Sequence, residues 1–105
     1  MKTLLQAQIF FEKDELHGMQ TMHEFIMQFL HKRNLKGATL LEAKSGFKEN
    51  ERVFKPNELF SFDDVPMLII FIDEEHTVKN TLTELMKEVK GLFITTHPVQ
   101  HWSVE

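Results

Sequence analysis

The sequence predicts a ferredoxin-like α+β sandwich, β-α-β-β-α-β, with a long polar connection between its second and third strands. Three observations predict it. Two β-α-β patterns follow one another within 105 residues, a length that suits a single domain over 1–105. One strand-length run, Met67 to Ile72 (M-L-I-I-F-I), is apolar at every position and reads as a strand buried on both faces. Between the two patterns lies a charged stretch that runs to Phe62. A compact domain spends that much chain on a connection only when it is functional or disordered.

Composition narrows the function classes. Apolar residues make up 42% of the chain, enough for a real core. There is no cysteine, which excludes disulfides, thiolate metal sites and cysteine nucleophiles. The net charge of −4 argues against nucleic-acid binding through a general basic surface. No apolar run approaches the length of a membrane span. Met1-Lys2-Thr3 leads straight into a strand-like run without an h-region, so no signal peptide and a cytoplasmic location are expected.

The elements follow in order. Leu4 to Phe11 alternates, with Leu5, Ala7, Ile9 and Phe11 on one face and Leu4, Gln6, Gln8 and Phe10 on the other. Glu12 to Gly18 reads as a charged loop. A helix is expected over Met19 to Asn34, because Met22, Phe25, Ile26, Phe29 and Leu30 form one buried stripe. His31, Lys32 and Arg33 suit its negative end, and Asn34 and Gly37 are its stop residues.

Ala38 to Ser45 is the second strand, closed by Gly46. In the charged segment, Arg52-Val53-Phe54 and Leu59-Phe60 could pair as a ribbon around Pro56-Asn57. After the strand Met67 to Ile72, Asp73 is the expected N-cap of a second helix, with Glu74 and Glu75 in its first turn. Val78, Leu82, Leu85, Met86 and Val89 form its stripe, and Gly91 ends it. Leu92 to His97 is the last strand, which Pro98 keeps from being a central one along its full length, and Val99 to Glu105 could add a short edge strand.

Two helices cover one face of such a sheet. Either Met67, Ile69 and Phe71 or Leu68, Ile70 and Ile72 must point away from them, together with Leu4, Phe10 and Leu40. Full burial of each large apolar side chain is worth ~1.5–3 kcal/mol, so six contribute on the order of 10 kcal/mol before the cost of association. A second copy of the chain is therefore expected on that face. Gln6 and Gln8 are expected to be hydrogen-bonded in the space between the sheets.

Several marks now carry a resemblance. They are His17-Gly18, Gly37-Ala38-Thr39, Gly46-Phe47, Arg52, Asp63-Asp64, Pro66, Asp73, Gly91-Leu92 and Thr95, in that order over nearly the whole chain. In these the chain resembles the PII-like signalling proteins, in particular the small branch catalogued as domain of unknown function 190. The resemblance implies a homotrimer with inward-facing sheets. It implies that the 48–62 segment is the T-loop through which PII proteins touch partners, a membrane transporter or another protein target. It also implies a small-molecule effector between subunits, an adenine nucleotide, with no cofactor required for the fold. The chain departs from the family pattern at Lys48, where a small residue is usual. It also lacks a glycine-rich phosphate loop before the last strand, where Lys90-Gly91 stands alone.

The candidate ligand-binding residues are Gly46, Phe47, Lys48, Arg52, Lys90, Gly91 and Thr95. Gly46 could let a phosphate approach the backbone, or could simply end a strand at an unusual φ. Lys48, Arg52 and Lys90 could bind phosphate oxygens by charge-assisted bonds, although Glu49 and Glu51 partly offset the first two. Phe47, Phe54, Phe60 and Phe62 are aromatics in a polar segment, expected to pack on a subunit or a partner.

Two other readings are open. Six histidines and six methionines suggest a metal-responsive trimer similar to CutA, binding copper or zinc. Within one chain the spacing is unfavourable: His97 and His101 lie ~13 Å apart along a strand, and His23 and His31 ~12 Å apart along a helix. A ferredoxin-like enzyme would need a polar group facing the core, and His23 is the one candidate. No nucleophile motif accompanies it, and a non-enzymatic protein is expected.

Overall fold

The structure, a computed structural model, describes residues 2–47 and 65–103. The elements are β1 (Lys2–Glu12), β2 (Leu16–His17), β3 (Gln20–Thr21), α1 (Met22–His31), β4 (Thr39–Glu42), β5 (Pro66–Asp73), α2 (Glu75–Glu88) and β6 (Phe93–His101). The main sheet has the order β4-β5-β1-β6 with every pair antiparallel, and β2 and β3 form a separate two-residue ribbon. This is the ferredoxin-like arrangement, with the first and third long strands at the centre.

The core lies between this sheet and the two helices. Leu5, Ala7, Ile9 and Phe11 of β1 and Met67, Ile69 and Phe71 of β5 bury beneath Met22, Ile26 and Leu30 of α1 and Val78, Leu85 and Val89 near α2. The alternation of β1 thus places its uniformly apolar face on the helices. In β5, Leu68, Ile70 and Ile72 point to the open face.

One residue expected on the open face is on the other side. Leu40 pairs with Ile69, which is fully buried under the helices, so Leu40 packs against the core. Its neighbour Leu41 pairs with Leu68 and is 45% exposed. The strand is only Thr39–Glu42, shorter than Ala38 to Ser45, and alternation alone could not assign its sidedness.

Helix boundaries also differ. The helix over Met19 to Asn34 contracts to Met22–His31, because residues 16–21 fold into the β2-β3 ribbon around Gly18, whose φ is +64°. Thr21 is the N-cap: its hydroxyl accepts from the Glu24 N–H at 3.3 Å and donates to Glu24 Oε1 at 2.8 Å. Asn34 adopts the left-handed region at φ 58° in the turn beyond the C-cap Lys32. Gly37 has no positive φ.

Asp73 is not the N-cap of α2. Glu74 holds that position without a side-chain cap bond. Asp73 ends β5 and is 6% exposed; it accepts from the Glu74 N–H at 2.8 Å and the Lys36 N–H at 3.2 Å. In the α2 stripe, Thr81 is buried in place of the expected Met86, which is 39% exposed. The Thr81 hydroxyl tolerates burial because it donates to the Thr77 carbonyl at 2.7 Å.

The last strand runs past its expected end at His97, through Pro98 to His101, and takes in Val99, Gln100 and His101 of the expected tail strand. Pro98 is accommodated because β6 is an edge strand, where a missing N–H can face away from the ladder. No helix among the described residues is long and apolar enough to cross a membrane. The ribbon around Pro56-Asn57 and the turn at Asp63-Asp64 lie outside the described residues.

Candidate functional site

Of the candidate residues, Gly46, Phe47, Lys90 and Gly91 lie at one end of the sheet, where β4 ends, β5 begins, β1 ends and β6 begins. Backbone bonds tie this end together: Lys13 N–H to the Val65 carbonyl and Ala43 N–H to the Pro66 carbonyl, both at 2.9 Å. Gly46 sits against Pro66. A Cβ at Gly46 would lie 3.2 Å from Pro66 Cγ, tighter than an ordinary contact. The glycine is thus explained by close packing, without an unusual φ. Phe47 follows it and is 71% exposed.

Lys90 and Gly91 lie at the same end but on the opposite edge. Gly91 has φ +85°, so it turns the chain from α2 into β6 in a conformation that a Cβ disfavours. Between this edge and Gly46 lie three strand spacings, ~14 Å. One chain therefore does not bring Gly46 and Phe47 together with Lys90 and Gly91. Lys48 and Arg52 lie outside the described residues, as do Phe54, Phe60 and Phe62.

Thr95 is set apart from both groups. It lies on the open face, and its hydroxyl donates to Gln8 Oε1 at 2.7 Å. The bond engages the Gln8 side-chain oxygen within the chain.

The open face is graded from this end to the other. Its first row across the strands is Leu41, Leu68, Phe10 and Phe93, apolar throughout. Phe10 and Phe93 stack with centroids 5.4 Å apart, yet Phe93 remains 65% exposed. The next row is Thr39, Ile70, Gln8 and Thr95, and the third is Ile72, Gln6 and His97.

Sequence reasoning missed Lys13, which reaches this end from the loop after β1 and pairs with Glu42 Oε1 at 2.9 Å. Nothing in the local sequence links the two, since the pairing depends on the order of strands. It also missed an apolar groove of about 460 Å³ between α2 and β6, lined by Leu82, Thr83, Met86, Leu92, Ile94 and Thr96. The groove starts immediately beyond Lys90 and Gly91.

The histidines do not converge. His97 lies on the open face, and His23 is half-buried on α1, outside the buried stripe. The buried polar side chains among the described residues are Asp73 and Thr81. Both are committed to backbone hydrogen bonds. Among the described residues no three His, Asp or Glu side chains are grouped to hold a metal ion.

The antiparallel four-stranded sheet, with two helices on one face and the long connection between β4 and β5, is the PII-like form of the ferredoxin-like fold. Solved structures share it. A chain of CPII from Thiomonas intermedia K12, a nitrogen regulatory PII-like protein bound to ADP, AMP and bicarbonate, superposes with a TM-score of 0.64 at 22% identity, covering 95% of this chain and 89% of that one. A PII-like signaling protein from Thermus thermophilus superposes with a TM-score of 0.67 at 15% identity, covering 92% and 87%. At these identities the likeness is one of fold. The chain belongs to the DUF190 family, described as an uncharacterized ACR, which it matches over residues 4–101. A UPF0166 protein from Aquifex aeolicus (strain VF5) is 29% identical over 93 residues, or 88% of this chain and 87% of the relative.

Proposed function

We propose that the chain is a non-enzymatic PII-like regulatory protein. Its homotrimer binds an adenine nucleotide between subunits and signals to a protein target, such as a membrane transporter, through the 48–62 segment. One observation carries the reading: Gly46 and Phe47 stand at the same end of the sheet as Lys90 and Gly91 but on the opposite edge. A head-to-tail ring joins unlike edges and closes on itself. Setting β4 of one copy against β6 of the next, same ends aligned, runs the two strands antiparallel. It brings Gly46 and Phe47 beside Lys90 and Gly91 of the partner subunit.

The open face supports the same assembly, because Leu41, Leu68, Phe10, Phe93, Ile70 and Ile72 then turn inward, away from water. The apolar groove beyond Gly91 lies next to the Lys90 cation, a combination suited to a base and its phosphates. The solved CPII structures with ADP and AMP are proteins of this fold with that ligand class. Gly46 and Pro66, which flank the stretch that contains 48–62, lie at this same end, so a nucleotide there would act next to that segment, a switch by order and disorder.

The test is titration calorimetry and thermal shift with ATP, ADP, AMP and cyclic AMP, with mass measured by light scattering in the same buffers. A saturable response that Lys90→Glu abolishes is the expected result. A trimer that responds to none of the four would overturn the ligand, and a monomer would overturn the site itself.

A further inference from the structure

The outer surface of α1 carries a feature that neither the core nor the sheet-end site uses. Four side chains form a continuous ladder there. His17 stacks on Phe25 with centroids 4.0 Å apart, Phe25 lies 6.2 Å from Phe29, and Arg33 Cζ sits 5.3 Å from the centre of the Phe29 ring. The helix buries Met22, Ile26 and Leu30, so Phe25 and Phe29 stand beside the buried stripe and remain half-exposed. They form one wall of a groove of about 370 Å³, lined also by Gln20, Gln28, Lys32, Arg33 and Glu88. That volume lies within the ~300–1,000 Å³ of small-molecule sites.

The polar groups of the groove are asymmetric. Lys32 and Arg33 stand at one end, and neither makes an ion pair among the described residues. Among the described residues Glu88 is the one carboxylate in the lining; nearby Glu84 pairs with Lys87 at 2.7 Å and feels the Arg33 charge only as a minor influence. Gln20 donates to Gln28 at 3.3 Å across the groove, a long bond between two amides that could turn to a ligand. On a chain of net charge −4, this is a locally cationic groove with an aromatic wall.

We propose that the α1 groove binds an amphipathic organic anion, a flat apolar body bearing one carboxylate, sulfonate or phosphate. Phe25 and Phe29 take the flat body, and Lys32 and Arg33 take the charge through charge-assisted bonds. The site lies wholly within one chain and does not depend on the trimer or on the sheet-end site.

The probe is 1-anilinonaphthalene-8-sulfonate, added to the intact protein, with its fluorescence and the backbone amide NMR shifts followed together. Expected is saturable binding with a dissociation constant below about 1 mM, with amide shifts concentrated at residues 20, 25, 28, 29, 32 and 33. Lys32→Glu combined with Arg33→Glu should weaken it at least about tenfold. Gln28→Glu, at an exposed position, should weaken it without changing the melting temperature. Parallel titrations with inorganic phosphate and with ADP separate a pure anion site from the nucleotide site. Phosphate alone binding as tightly, shifts confined to the open sheet face or the sheet end, or affinity unchanged in both variants would each overturn the proposal.

Discussion

The backbone N–H of Lys36 donates to Asp73 Oδ2 at 3.2 Å, joining residues 37 positions apart. The other carboxylate oxygen accepts from the Glu74 N–H at 2.8 Å. One buried side chain therefore ties the loop after α1 to the junction of β5 and α2. Asp73→Ala leaves the two donors without this partner and should destabilise the fold by about 1–3 kcal/mol. Urea unfolding measures it. A change below a few tenths of a kcal/mol would show that water replaces the carboxylate without loss.

Substitutions at adjacent positions of β5 should have opposite characters. Ile69 is fully buried beneath the helices and Ile70 lies on the open face. Ile69→Lys buries a charge in the core and should abolish the cooperative unfolding transition. Ile70→Lys should leave the chain folded but reduce an assembled species to 12.4 kDa. Light scattering and circular dichroism on both variants check this. An unmodified protein already of 12.4 kDa would contradict the expected assembly.

Gly46 and Pro66 should be energetically coupled, because a Cβ at Gly46 would meet Pro66 Cγ at 3.2 Å. Gly46→Ala should destabilise by about 1 kcal/mol through overpacking. Pro66→Ala should relieve that part of the cost, so a double-mutant cycle should give a nonzero interaction energy. Strict additivity would mean that the glycine serves some other purpose.

Two ion pairs on α2 give the helix a pH dependence of known sign. Hydrogen bonds and charge from Lys79 hold the Glu75 carboxyl below its ordinary value, and Lys87 does the same for Glu84. A carboxyl lowered on folding contributes stability that is present above its unfolded value and lost as pH falls through the folded one. The melting temperature should therefore fall as pH drops below the ordinary carboxylate range. Both groups are solvent-exposed, so the effect should be small and should shrink with added salt. Lys79→Ala with Lys87→Ala should flatten the acid limb, and an unchanged slope would assign it to other carboxylates.

The start of α1 carries a local signal that the buried stripe does not use. Thr21 and Glu24 have the spacing of a capping box, and they mark the true N-terminus. The charge and turn residues before it suggested an earlier start, and only the β2-β3 ribbon moves it to Met22. Asp73 misled in the opposite way. Its type and position suit a cap, but the chain around it places its carboxylate within reach of Lys36.

Local sequence by itself determined the ferredoxin-like order, the helix-facing side of β1 and the apolar character of both faces of β5. These follow from side-chain periodicity and from turn residues, which act over a few positions. Only the tertiary structure decided which side of β5 meets the helices, that Leu41 rather than Leu40 joins the open face, and that Gly46 and Lys90 stand on opposite edges. Those facts depend on register and strand order, and both are set by contacts between residues far apart in the chain, where shifting one strand by a single residue exchanges its two faces.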